Sequence, residues 1–172
     1  FGGAVDEYRR TSEKSPDGEE FLHFELQSEV FALEATMVRE ILDVIAATPV
    51  PGTPALVHEV INFRGKIIPL ADLRLAFDME ASQTTIDSRI VVIETAIDGE
   101  EHWLGFRADK VLEVAGIAPS SCEEPPMVGM RWNRNHVRCL ARRGEGVIVI
   151  PDLPAIFEPT LRSAAPGMAA AA

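Results

Sequence analysis

The chain has 172 residues, 47% hydrophobic and 25% charged, the make-up of one ordinary globular domain or two very small ones packed together, with no need of disulfides or metal to fold. Its 27 acidic and 16 basic residues leave a formal net charge of −11, which disfavours a nucleic-acid binder and a protein that docks on anionic lipid. No apolar run approaches the ~20 residues of a membrane span and no basic-then-apolar signal opens the chain. Cys122 and Cys139 stand singly and read as reduced thiols, so the expected setting is the cytoplasm.

Residues 1–19 are polar and broken by Ser15-Pro16-Asp17-Gly18, and are expected to form a flexible or partly helical leader. A folded body is expected over 20–158, followed by a disordered tail over 159–172 rich in Ser, Pro, Gly and Ala. Within the body Leu22, Phe24 and Leu26 alternate with polar residues as a half-buried strand. Thr48 to Pro54 reads as a rigid loop closed to helix and strand alike. Two β-rich runs follow, Val57 to Phe63 and Lys66 to Leu70, turning at Arg64-Gly65. Asp72 is placed to cap a short helix ending near Phe77.

Ile90 to Ile93 is continuous and β-branched, as in a strand buried on both faces. Asp98-Gly99 marks a hairpin between Thr95–Ile97 and Trp103–Phe106. Pro119 to Pro126 is a second loop. Val137 to Ala141 and Val147 to Ile150 are strands separated by Gly144-Glu145-Gly146, and Asp152 caps a second short helix ending near Phe157. The recurrence of short strands predicts an all-β fold with few short helices.

The chain also matches itself. An offset of 80 residues lays Val60, Ile67, Ile68, Leu70, Asp72, Leu73 and Phe77 on Leu140, Val147, Ile148, Ile150, Asp152, Leu153 and Phe157. An offset of 73 lays Phe31, Leu33, Ala35, Val38, Glu40 and Ile41 on Leu104, Phe106, Ala108, Val111, Glu113 and Val114. The expectation is two similar small barrels, a first copy over about 20–80 and a second over about 88–158, with strands possibly exchanged between them. The Asn-x-Arg-Gly turn occurs in the first copy alone, which suggests that barrel building does not require it.

Val60-Ile61-Asn62-Phe63-Arg64-Gly65-Lys66-Ile67-Ile68-Pro69-Leu70-Ala71-Asp72-Leu73-Arg74 resembles the signature stretch of CheW-like domains, as do Val38-Arg39-Glu40-Ile41 and Pro51-Gly52-Thr53-Pro54-Ala55 upstream. The resemblance spans about 20–158. It implies two five-stranded SH3-like barrels with separate cores and a third apolar seam between them. It further implies a scaffold in chemotaxis arrays, whose inter-barrel groove receives the helical tip of a chemoreceptor. A barrel end would meet the CheW-like regulatory domain of the histidine kinase or other CheW-like domains. The alternative is a specialised paralogue, or another small-barrel module, that competes in such arrays without activating the kinase. Two departures favour specialisation: Glu59 where the family commonly has a small residue, and the unusual His136-Val137-Arg138-Cys139 strand beside the divergent stretch 127–135.

The expected partner-binding residues are Val38, Glu40, Ile41 and Arg64. Arg64 is placed to fork onto a partner carboxylate or carbonyls; the bland reading pairs it with a local acid, Glu40 being one candidate. Strand alternation would set Val38 and Glu40 on one face and Ile41 on the other, with Val38 and Ile41 reading equally well as core. Asn62 and Gly65 are expected to support the turn. His23, His58, His102 and His136 are scattered, and a Cys122…His136-x-x-Cys139 zinc site would offer three ligands only. No phosphate loop or nucleophile motif is present, so neither enzyme activity nor a metal or cofactor is expected.

Overall fold

The structure is a computed structural model that describes residues 18–81, 83–129 and 132–163. Most of the expected leader and the end of the expected tail therefore lie outside the described residues. Twelve strands are described: β1 (Glu19–Leu26), β2 (Glu29–Glu34), β3 (Val38–Asp43), β4 (Thr48–Pro49), β5 (Glu59–Phe63), β6 (Lys66–Ala71), β7 (Arg89–Ile97), β8 (Glu100–Ala108), β9 (Lys110–Ile117), β10 (Cys122–Glu123), β11 (Val137–Arg143) and β12 (Gly146–Pro151). Two helices accompany them, α1 (Leu73–Ala76) and α2 (Leu153–Ser163).

The strands form two six-stranded sheets, ordered β10-β11-β12-β2-β1-β9 and β3-β7-β8-β6-β5-β4. Each has five longer strands plus one of two residues, β4 or β10. Those short strands correct the reading of both proline-rich segments as loops closed to strand. Pro49 is tolerated because β4 is an edge that pairs only with β5.

The strand exchange is reciprocal. Hairpin β1–β2 of the first copy docks parallel on β12 of the second, Val149 opposite Phe31. Hairpin β7–β8 of the second copy docks parallel on β6 of the first, Leu70 opposite Gly105. Offsets of 80 and 73 residues convert one register into the other. The same offset of 80 relates two backbone bonds, Asp72 N–H to Leu56 C=O (2.8 Å) and Asp152 N–H to His136 C=O (2.9 Å). Both aspartates cap as expected, Asp72 Oδ1 accepting from Arg74 N and Asp152 Oδ1 from Ala155 N. Helix α2 runs beyond Phe157 to Ser163, carrying Pro159 inside it.

Strand periodicity divides the apolar residues among three cores. In β7, Ile90 and Val92 point into their own barrel while Val91 and Ile93 point into the seam. In β12, Ile148 and Ile150 line the other barrel and Val149 the seam. The seam is the largest core. At its centre Phe31 lies 4.9 Å from Phe77 and 6.0 Å from Trp132, and Phe24 lies 5.1 Å from Phe106. A fully buried aromatic contributes roughly 3 kcal/mol by area. Because each barrel contains a hairpin from the other half of the chain, the seam and both barrels form together.

Hairpin β1–β2 turns at Gln27-Ser28, both at positive φ (47° and 66°). Neither residue is a usual occupant of such a turn. Tertiary bonds hold it: Gln27 N donates to Asp109 Oδ2 at 2.7 Å, and Gln27 Nε2 donates to the Glu80 carbonyl.

Candidate functional site

Hairpin β5–β6 reverses at Arg64 and Gly65, with φ of 50° and 80°, a primed turn that suits the twist of the strands. Gly65 N donates to Asn62 Oδ1 at 3.1 Å, the support expected of both residues. The Arg64 side chain is 73% exposed. Its guanidinium sits 5.0 Å from the centre of the Phe63 ring and donates to Glu40 Oε2 at 2.7 Å. Beside it Lys66 Nζ lies 4.4 Å above Trp103. Cations stacked on aromatic faces in this way are positioned without being buried.

Strand β3 departs from simple alternation. Val38 pairs with Ile93 and Glu40 with Val92, so two steps on β3 match one on β7, a bulge at Arg39. The extra residue shifts the parity. Val38 (1% exposed) and Ile41 (7%) both enter the seam, and Glu40 does not share a face with Val38. That corrects the expected distribution. At this strand the surface belongs to Glu40 and Arg39, with Val38 and Ile41 packed behind them.

Glu40 lies on the edge strand β3 and Arg64 at the tip of hairpin β5–β6, toward the other side of the same sheet, so their ion pair ties the two sides of the barrel together. The other barrel has an equivalent. Glu113, related to Glu40 by the offset of 73, is bonded by Arg143 at the tip of hairpin β11–β12. The Asn-x-Arg-Gly turn is unique, but the acid-to-hairpin-arginine clasp is not. Part of what Arg64 does is therefore architectural.

The two halves meet in two related grooves. One, of about 480 Å³, is lined by Leu33, Met37, Ala96 and Leu153, with ion pairs Glu34–Arg138 (2.7 Å) and Arg39–Glu94 (2.8 Å) on its walls. The offsets carry Glu34, Thr36, Asp152 and Pro154 of this groove onto Arg107, Asp109, Asp72 and Arg74 of the other. That second groove is only about 170 Å³. Ala81, Gln83 and Thr84 of the inter-copy connection lie in its wall. The buried Arg74 side chain fills it, 3.2 Å from Asp72 and 3.4 Å from Asp109. Pro154 has no such reach, and its groove stays open.

Arg64 does not line the open groove; Arg39, beside its partner Glu40, does. Sequence reasoning missed Arg39, Glu94, Glu34 and Arg138. The available signal was that Arg39 lies inside the Val-x-Glu motif and Arg138 inside the unusual strand of the second copy. Glu59 turns inward, 18% exposed, to Arg107 (3.1 Å) and His58 (3.8 Å), so its charge is met within the molecule. His136 Nδ1 bonds the Ala76 carbonyl at 2.8 Å. Among the described residues no three His, Cys, Asp or Glu side chains gather as a metal site. Trp103 packs on Phe63, and Trp132 on the seam.

Two exchanged barrels joined by a large apolar seam, with an open ion-paired groove between them, define a paired small-barrel module. Residues 20–160 match the family model of the CheW-like domain, and the chain belongs to that family. It is 32% identical over 140 residues to the chemotaxis protein CheW of Helicobacter pylori, covering 80% of this chain and 82% of that one. With the CheW of Rhizobium meliloti the identity is 26% over 148 residues, 86% and 93% of the two chains. The crystal structure of the scaffolding protein TtCheW from Thermoanaerobacter tengcongensis superposes with a TM-score of 0.73 at 32% identity, covering 86% of this chain and 92% of that one.

Proposed function

We propose that this chain is a non-enzymatic scaffold that couples the helical cytoplasmic tip of a chemoreceptor to the regulatory domain of a chemotaxis histidine kinase. The open groove carries the reading. Its apolar floor and fixed charges suit an amphipathic helix, which buries one face and presents polar residues to the rims. The family membership over the whole folded body, and the chemotaxis and scaffolding roles named for its relatives, support the same assignment.

Arg64, Glu40 and Asn62 form a second surface, which adjoins the groove where Glu40 follows Arg39 on β3. Ile67 and Val147, equivalent positions on the two hairpins, are 46% and 49% exposed. An apolar residue offered at each barrel end supports end-on pairing with other CheW-like domains, including that of the kinase. Val38 and Ile41 then act by seating β3 rather than by touching a partner. No helix among the described residues is long and apolar enough to cross a membrane. We place the protein in the cytoplasm, brought to membrane-embedded receptors by its partners.

Reconstitution tests this. Added to receptor-containing membranes and kinase, the protein should co-sediment with both and raise kinase autophosphorylation. Co-sedimentation with falling kinase activity would instead identify a competitor, and failure to sediment with receptors would remove the groove assignment.

A further inference from the structure

Cys122 and Cys139 form a site that the partner-binding surfaces leave unused. Cys122 begins β10, where it pairs with Ala141 of β11, and Cys139 lies two residues from Ala141 on the same face of that strand. Both thiols pack against the core of one barrel and both are partly exposed. In a regular ladder such diagonal neighbours stand about 7–8 Å apart at Cα, slightly beyond the span of a disulfide. Closing the gap asks for a small backbone movement, and β10, held by only two ladder pairs at the sheet edge, is the strand placed to make it.

We propose that Cys122 and Cys139 are a reversible dithiol site, oxidised to an internal disulfide by low-molecular-weight disulfides such as oxidised glutathione. In the first step the Cys122 thiolate attacks one sulfur of the small disulfide. The S–S bond breaks, one thiolate leaves, and Cys122 carries a mixed disulfide. In the second, Cys139 loses its proton to solvent and attacks Cys122 Sγ, releasing the other small thiolate. The protein dithiol is oxidised by two electrons, and one small disulfide is reduced to two thiols.

The order of attack follows from the surroundings. Burial, a hydrogen bond with Cys122 and the charge of Cys122 push the Cys139 thiol up to about 12, so it is a poor first nucleophile. Capping Cys122 removes two of those three causes, while the Arg138 guanidinium beside Cys139 favours its thiolate. Burial still acts on Cys139 after that step, but its thiolate forms more readily than before Cys122 has reacted. Arg138 also makes the Glu34 ion pair in the open groove, so the bond would form one residue from the groove wall.

Intact-mass measurement of the full chain incubated with oxidised glutathione tests the site. The unaltered protein should lose the mass of two hydrogens without retaining an adduct, and dithiothreitol should restore it. Cys139→Ser should accumulate one glutathione adduct, on Cys122; Cys122→Ser should take up at least tenfold less. A wild type that stops at a mixed disulfide, or equal adduct formation in the two variants, would overturn the proposal.

Discussion

The two grooves between the barrels are built from equivalent residues, yet one is partly filled by Arg74 and the other is open. At the first, the connection between the copies lies across the cleft, and Arg74 extends into it between Asp72 and Asp109. At the second, the equivalent of Arg74 is Pro154, and none of the residues lining the groove belongs to the connection between the copies. Duplication by itself yields two identical clefts. The covalent link between the copies breaks that equivalence and leaves two grooves of unequal size, about 480 and about 170 Å³.

The largest effect should come from the seam that both grooves border. Phe31→Ala removes a fully buried ring that touches Phe24, Phe77 and Trp132, which costs about 3–5 kcal/mol. Because each barrel borrows a hairpin from the other half, urea unfolding should stay a single transition for wild type and variant. Two separated transitions would show that the barrels are independent.

Next in size is the filled groove itself. Arg74→Met leaves two partly exposed carboxylates without their shared cation and should cost about 2–3 kcal/mol, below the full figure for a deeply buried pair. Pro154→Ala, at the equivalent place in the open groove, should stay within about 0.5 kcal/mol in the same unfolding experiment. Equal costs at the two sites would mean that the grooves are not distinguished by their filling.

Binding should divide the same way. Ala96 is exposed and lines the open groove, so Ala96→Trp should weaken receptor co-sedimentation by about tenfold or more, the scale of one lost anchor. Gln83→Trp at the covered groove should leave binding unchanged. Arg64→Glu separates the hairpin from the groove: it should reduce kinase association while receptor binding holds. The clasp it breaks is surface-exposed, and a double-mutant cycle of Arg64 with Glu40 should give about 0.5 kcal/mol.

Much of this fold can be read from side-chain periodicity. Ile90 to Ile93 could only be a strand buried on both faces, and all four residues are fully buried. Asp72 and Asp152 declared their caps, and the two offsets declared the duplication. Periodicity names the face a residue occupies but not the neighbouring strand, so the direction of the hairpin exchange was not readable. The bulge at Arg39 was invisible for a related reason: one extra residue reverses inside and outside for everything before it, and no Gly or Pro marks it. The Gln27-Ser28 turn is held by Asp109 and Glu80, far away in the chain. Arg74 facing Pro154 under the offset of 80 was the one written sign of which groove is filled.

The smallest effect near neutral pH concerns a position at which the two copies differ in polarity. His23 lies buried on β1, 3.3 Å from Arg143 through Nδ1 and opposite Glu113; its equivalent in the other barrel is the exposed Ala96. Burial lowers the imidazole pKa most, the neighbouring backbone of Ala115 opposes this, Arg143 lowers it further and Glu113 raises it. The net depression means the unfolded chain takes up the proton first as pH falls. Stability is therefore complete above the ordinary histidine value of about 6.5 and declines below it. His23→Leu, which keeps an apolar contact in the barrel and cannot titrate, should lose less of its urea midpoint than wild type between about pH 7.5 and about pH 5.5. Losses common to both proteins cancel in this comparison; parallel losses would show that the imidazole is solvated in the folded state.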